Sequence, residues 1–265
     1  MGQTPPTVAD IRALKGVRQL TMLRVESLEE AEAAERAEID MVSTSPELLG
    51  PAFREAAPSL FVHAGLEHGH YITTEDYLRA AFAALRAGAD AVYCAASPQT
   101  IRRLADEGVP VCGHVGLIPV RRTWTGGFVA VGRTAESARL VRDQVRALEE
   151  AGAFAAEIEV VPSAVAEAIA SRTPLVMISM GAGAGCDAQY LFSVDVLGEN
   201  RGHVPRHSKV YGDLAREYDR LQGLRVEAYK AFVQDVRSGG YPGPEHQLDI
   251  ATDQFDEFLA ELDRD

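Results

Sequence analysis

An α/β fold of the (β/α)8 TIM-barrel class, with extra C-terminal helices, is what this sequence predicts. Three observations carry that expectation. Eight short apolar runs, rich in Val, Ile, Leu or Phe and bounded by Gly, Pro or Asp, succeed one another between residues 20 and 198, as strands buried on both faces should. Amphipathic stretches long enough for crossover helices lie between them. No G-x-G-x-x-G follows the first run, so the runner-up, an open doubly wound sheet with a dinucleotide-binding half, lacks its motif.

The elements follow in order. LTMLRV (20–25) is the first strand and SLEEAEAAERAE (27–38) the first crossover helix. DMVSTS (40–45) and SLFVHAG (59–65) come next, then the helix TTEDYLRAAFAALRAG (73–88). ADAVYCAA (89–96) and VPVCGHVGLIP (109–119) are the fourth and fifth strands, and TAESARLVRDQVRALEEAG (134–152) is the helix after them. FAAEIEVVP (154–162), PLVMISMGAG (174–183) and YLFSVDVLG (190–198) complete the set. Two helices end in the same phrase, A-G-A, at 87–89 and 151–153, where glycine stops the helix and the chain turns straight into a strand. A long helical stretch, 208–239, interleaves charges with apolar residues and is expected to pack outside the barrel or exchange with a neighbouring subunit of a homo-oligomer. No linker, repeat or low-complexity segment divides the chain, so 1–265 reads as a single domain.

Composition narrows the function. The chain has 265 residues, 46% of them hydrophobic, enough for a substantial core. Its net charge of −13 opposes a nucleic-acid backbone or an anionic membrane, while a local pocket for a small anion stays open. No apolar run approaches the ~20 residues that span a bilayer. The N-terminal MGQTPPTVADIRALKG lacks the apolar core of a secretion signal. Three widely spaced cysteines, Cys94, Cys112 and Cys186, fit reduced thiols better than disulfides or zinc. A cytoplasmic protein is expected.

Barrel enzymes work at the C-terminal ends of their strands, where the polar residues of this chain gather. Ser43, Thr44 and Ser45 end the second run, His63 the third, and Tyr93 the fourth. His114 lies in the fifth, and Glu157 and Glu159 share one face of the sixth by period two. A glutamate in so apolar a strand costs several kcal/mol unless it is paired or faces a polar cavity. The stretch FVHAGLEHGHY (61–71) offers His63, His68 and His70 as weak metal-ligand candidates; its bland reading is a solvated loop after a buried strand.

From about residue 109 to 246 the chain resembles the 3-methyl-2-oxobutanoate (ketopantoate) hydroxymethyltransferase family, barrels of the phosphoenolpyruvate mutase and isocitrate lyase group. The phrases are VPVCGHVGLIP, TGGFVAVGRT, LEEAGAFAAEIEVVP, MGAGAGCDAQ, GHVPRHSKVY and SGGYPGPEH, in family order and spacing. The first hundred residues follow more loosely. The resemblance implies a 2-oxo acid chelated by magnesium, a base in the sixth strand, and 5,10-methylenetetrahydrofolate as one-carbon donor. It places the base at Glu159 and a substrate hydrogen bond at His114. Ser45 matches the family's serine, and substrate contacts are expected at Thr44, Ser45, Gly65, Tyr93 and His63 at the strand ends.

Departures from the family pattern fall on the metal shell. Its first metal aspartate aligns with Thr44 and its second with Gly65; a lysine–glutamate pair in the fourth strand aligns with Tyr93 and Ala95. Thr44, Gly65 and Ala95 offer no anionic oxygen, so tight magnesium binding is not expected. Histidine ligation would favour a borderline metal, and imidazoles could instead stabilise an enolate directly. The expected function is to make or break a carbon–carbon bond beside the carbonyl of a 2-oxo acid, with Glu159 as base. The alternatives are a divergent paralogue with another substrate and a metal-free or His-ligated site, and a non-catalytic small-molecule-binding barrel.

Overall fold

The computed structural model of the protein describes residues 4–262. Eight parallel strands close into a barrel in sequence order: β1 Leu20–Arg24, β2 Met41–Thr44, β3 Phe61–Leu66, β4 Ala91–Cys94, β5 Val111–Gly116, β6 Ala155–Glu159, β7 Val176–Met180 and β8 Ala188–Phe192. β8 pairs back with β1, so the sheet has no free edge. Helices follow the strands: α1 Val8–Ala13 precedes β1, and α2 Leu28–Arg36, α3 Pro51–Ala56, α4 Thr74–Arg86 and α5 Pro98–Asp106 follow β1 to β4. α6 Arg122–Thr125, α7 Ala135–Glu150, α8 Ser163–Ala170 and α9 Ser193–Val196 come after β5, β5, β6 and β8.

Alternation along each strand divides the core in two. Outward-facing Val62, Ala64 and Leu66, Val92, Val115 and Ile158 meet the helices, while Leu20, Met22, Met41, Phe61, Ala155 and Ile178 fill the barrel. Gly88 and Gly152, in the two A-G-A phrases, have φ of +108° and +87°, the left-handed turn that hands a helix over to its strand. Arg54 of α3 ties the helix layer to the sheet: Nε donates to Gly88 O at 2.7 Å and Nη2 to Asp90 at 2.6 Å, and Asp90 accepts from Val62 N.

The eighth run is shorter as a strand than its apolar length suggests. β8 begins two residues earlier, at Ala188, and the chain turns helical at Ser193, so Ser193–Val196 forms α9 rather than strand. Asp195 is the physical reason: buried, it accepts from Asn200 and Ser208 of the following loop, which a strand geometry would not reach.

By internal contacts the chain falls into two compact units, one through Gly212 and one from Asp213. The second holds α10 Leu214–Ser238, a 3-10 turn at 244–246 and α11 Thr252–Leu262. The helix expected over 208–239 thus starts at Leu214, because Ser208–Asp213 is extended or looped. Cys94, Cys112 and Cys186 are buried and free. Among the described residues no helix is long and apolar enough to cross a membrane.

Candidate active site

A cavity of about 460 Å³ opens at the C-terminal ends of the strands. Its floor follows from strand parity, since Arg24, Ser43, Gly65, Tyr93, Glu157, Glu159, Met180 and Tyr190 all project inward, and all line it. Leu191, Phe192, Pro119 and Pro205 supply apolar wall, and Glu26, Glu67, Asp195 and His207 the polar rim.

One buried cluster lies in and behind that wall. His114 Nε2 stands 3.2 Å from Glu159 Oε2 and 2.9 Å from Leu117 O, both acceptors, so this nitrogen carries a proton. Its Nδ1 is 2.7 Å from the Tyr93 hydroxyl and 3.6 Å from Glu157 Oε2. The strands set these distances directly: register pairs His114 with Glu157 and Gly116 with Glu159 on adjacent β5 and β6.

Burial opposes charge on His114, but the hydrogen bond to Glu159 and the fields of Glu157 and Glu159 outweigh it, and its pKa rises above the ordinary histidine value. Burial pushes the Glu157 carboxyl up to about 7, with His114 opposing and Glu159 assisting. Tyr93 is raised well above an ordinary phenol, first by burial and then by Glu157. The raised pKa favours the imidazolium form of His114, with both ring nitrogens protonated. In that state Nδ1–H donates to Tyr93 oxygen, which frees the Tyr93 O–H to donate toward the cavity.

The residues expected from sequence divide. Glu159, Tyr93 and Gly65 line the cavity, and His114 braces two of its walls. Thr44 does not reach it: alternation turns its side chain outward, where Oγ1 donates to Val25 O at 3.0 Å, and Ser43 takes the inward place. Ser45 begins the 3-10 turn after β2 and is not among the lining residues. His63 lies two residues below Gly65 on the same inward face, fully buried between the rings of Phe61 and Phe154. Both its ring nitrogens lack hydrogen-bond partners, and burial drives its pKa down to about 3. His68 and His70 stay exposed on the loop after β3, with His70 beside Glu67, so the three histidines do not form one site. Among the described residues no group of three or more His, Cys, Asp or Glu is arranged to hold a metal ion.

Arg24 and Tyr190 were missed. Arg24 shares inward parity with Leu20 and Met22 and ends its strand at the active face, a period-two signal that was present in LTMLRV. Tyr190 opens the apolar run YLFSVDVLG, but its strand begins two residues earlier, at Ala188, which sets its inward parity.

Fold and site together define a class: a (β/α)8 barrel with a buried Glu–His–Tyr cluster at the C-terminal ends of its strands. Comparison with known proteins narrows it. Residues 47–244 match the family model described as ketopantoate hydroxymethyltransferase, and the chain belongs to that family. The 3-methyl-2-oxobutanoate hydroxymethyltransferase of Nitratidesulfovibrio vulgaris is 36% identical over 99% of this chain and 92% of its own. That of Kosmotoga olearia is 32% identical over 88% and 93%. Among solved structures, 2,3-dimethylmalate lyase, a member of the PEP mutase/isocitrate lyase superfamily, superposes with a TM-score of 0.53 at 13% identity, covering 96% of this chain and 98% of that one, a likeness of fold.

Magnesium, which the family resemblance implies, is not matched at the positions the resemblance assigns to its ligands, and the carboxylates that line the cavity form no group arranged to hold a metal ion among the described residues. Thr44 faces away, Gly65 and Ala95 carry no side-chain oxygen, and magnesium needs carboxylates beside its waters.

Proposed function

We propose that this protein forms or breaks a carbon–carbon bond beside the carbonyl of a 2-oxo acid, with Glu159 moving the proton. The observation that carries this reading is the Glu159–His114–Tyr93 chain, 3.2 Å and 2.7 Å long, at the end of the strands where the cavity opens. Glu159 carboxylate, on the cavity wall, takes the proton from the carbon next to the ketone. Charge then develops on the substrate oxygen, where the O–H of Tyr93, released by the Nδ1–H of His114, can donate to it. His114 holds Glu159 in place through Nε2 and is itself fixed by Leu117 O.

5,10-Methylenetetrahydrofolate is the proposed one-carbon donor and would supply an electrophilic methylene. The cavity exceeds what a small oxo acid fills, and its apolar wall at Phe192, Pro119 and Pro205 suits a second, larger reactant. Three free, buried thiols agree with a cytoplasmic setting. Exposed apolar side chains on the helical unit, among them Phe232, Val236 and Phe258, support a homo-oligomer.

The test is exchange of the acidic C–H of a panel of 2-oxo acids with deuterated solvent, followed by NMR. Glu159→Gln should keep the fold and slow exchange 100-fold or more, a loss of at least ~2.7 kcal/mol in transition-state stabilisation. Wild-type protein that exchanges nothing across the panel would favour a binding barrel instead. A Gln variant that matches wild type would move the base elsewhere.

A further inference from the structure

We propose that Arg24 supplies the cation of this pocket, so that the carboxylate of a 2-oxo acid is bound by a guanidinium without a divalent metal. The inference rests on the reading of the cavity as a 2-oxo acid site. Three independent features meet at Arg24.

The first is position. Arg24 ends β1 on the inward face, and its Nη1 would stand 2.9 Å from a Cβ placed on Gly65. Its charge therefore occupies space over β3 that a side chain at 65 would otherwise claim, and glycine leaves that space open. The field of Arg24 also reaches Tyr190 on neighbouring β8 and Glu157 on β6.

The second is charge balance. Glu26, Glu67, Glu157, Glu159 and Asp195 line the cavity, and Arg24 is the one arginine or lysine among the lining residues. A 2-oxo acid entering such a ring of carboxylates needs a fixed positive group, and Arg24 is placed to be it. Its side chain is 16% exposed, a desolvated setting in which a charge-assisted bond gains strength.

The third is hydrogen-bonding capacity. Arg24 Nε lies 2.6 Å from Glu26 Oε1 and Nη2 3.5 Å from Oε2, so Glu26 holds the side edge of the guanidinium. Nη1 has no hydrogen-bond partner among the described residues, which leaves the end edge for a second carboxylate. Glu26 thus orients the fork while the substrate takes its tip. Glu26 is largely exposed, so the existing pair is weak and does not by itself account for an arginine buried at this spot.

Calorimetric titration of the full chain with oxalate, a planar dianion shaped like the enolate of pyruvate, tests this. In EDTA oxalate should bind, and adding millimolar magnesium should change its Kd less than twofold. Arg24→Gln should weaken binding at least tenfold, with Arg24→Lys between the two, while circular dichroism shows both folded. Binding that appears only with magnesium, absence of binding in both conditions, or an unchanged Kd in Arg24→Gln would each overturn the proposal. The C–H exchange assay separates this from the reaction. Oxalate bound through Arg24 by a chain that exchanges no C–H keeps the anion site and removes the carbon–carbon chemistry. Exchange that requires magnesium does the reverse.

Discussion

Glu157 is the residue whose role is most readily misjudged. It shares a strand face with Glu159, yet it sits deeper, against His114 Nδ1 and under Tyr93, with its carboxyl pushed up to about 7. Its unfolded value is near 4.5, so between about 4.5 and about 7 the folded chain holds more protons than the unfolded one. Stability must therefore fall as pH rises through that window, by about 3 kcal/mol from this group. His114 acts with the same sign: its pKa is raised on folding, so its contribution is whole below about 6.5 and is lost as pH passes its higher native value. Thermal unfolding followed from pH 4.5 to pH 8 should show the melting temperature dropping by several degrees, and Glu157→Gln should flatten that slope. A variant with the wild-type slope would place the proton uptake elsewhere. Residue types were legible here without geometry. A glutamate pair in an apolar strand and a histidine in the strand before it point to a shared site, and register then made the pair a triad.

At the scale of elements, the meeting of β5 and β6 builds the cluster. Gly116 ends β5 at φ +83°, and a Cβ there would lie 2.5 Å from Glu159 O and 2.7 Å from Val161 Cγ2. This close approach lets Leu117 N donate to Glu159 O at 2.9 Å and brings Leu117 O onto His114 Nε2. Gly116→Ala combines left-handed strain with overpacking and should destabilise by about 2–4 kcal/mol. It should also slow C–H exchange, because the strand bearing Glu159 must move. Gly126→Ala is the control: its φ is +76°, but nothing lies within 4 Å of the added carbon, so only the strain remains. Equal losses for the two variants in denaturant unfolding would show that the packing against Glu159 is immaterial. Element ends were the least legible feature. The apolar string YLFSVDVLG reads as one strand, and only the bonds of Asp195 to Asn200 and Ser208 divide it at Ser193.

At the scale of the whole molecule, two facts bear on assembly. The barrel closes β8 onto β1 and so offers no edge strand for pairing with another chain. The helical unit has no buried side chain on α10 or α11, and Tyr229, Phe232, Val233, Phe255 and Phe258 are all exposed in the single chain. An apolar surface of that kind on a chain of net charge −13 supports the proposal that this face takes part in assembly. The proposed homo-oligomer should therefore give, in sedimentation equilibrium, a mass that is a multiple of one chain. Replacing Phe232 and Phe258 together by Glu should lower it. A wild-type chain that is monomeric at micromolar concentration would overturn this expectation.

The sequence by itself determined the barrel, because eight apolar runs separated by amphipathic helices admit few other burials, and strand parity already put Glu157 and Glu159 on one face. It also sufficed for the family: phrases between about 109 and 246 point to it, and the family model matches residues 47–244. What it could not separate were residues adjacent in a strand. Thr44 and Ser43 differ by one position, and only the register of β2 with β1 and β3 turns the first outward and the second into the cavity. Nor could it bring His63 to its sealed place between Phe61 and Phe154, away from His68 and His70. Arg24 and Gly65 stand 41 positions apart in the chain, and only the pairing of β2 with both β1 and β3 brings a guanidinium from β1 over the bare backbone of β3. Periodicity reports which face a side chain takes; what it meets there depends on strands brought together from elsewhere in the chain.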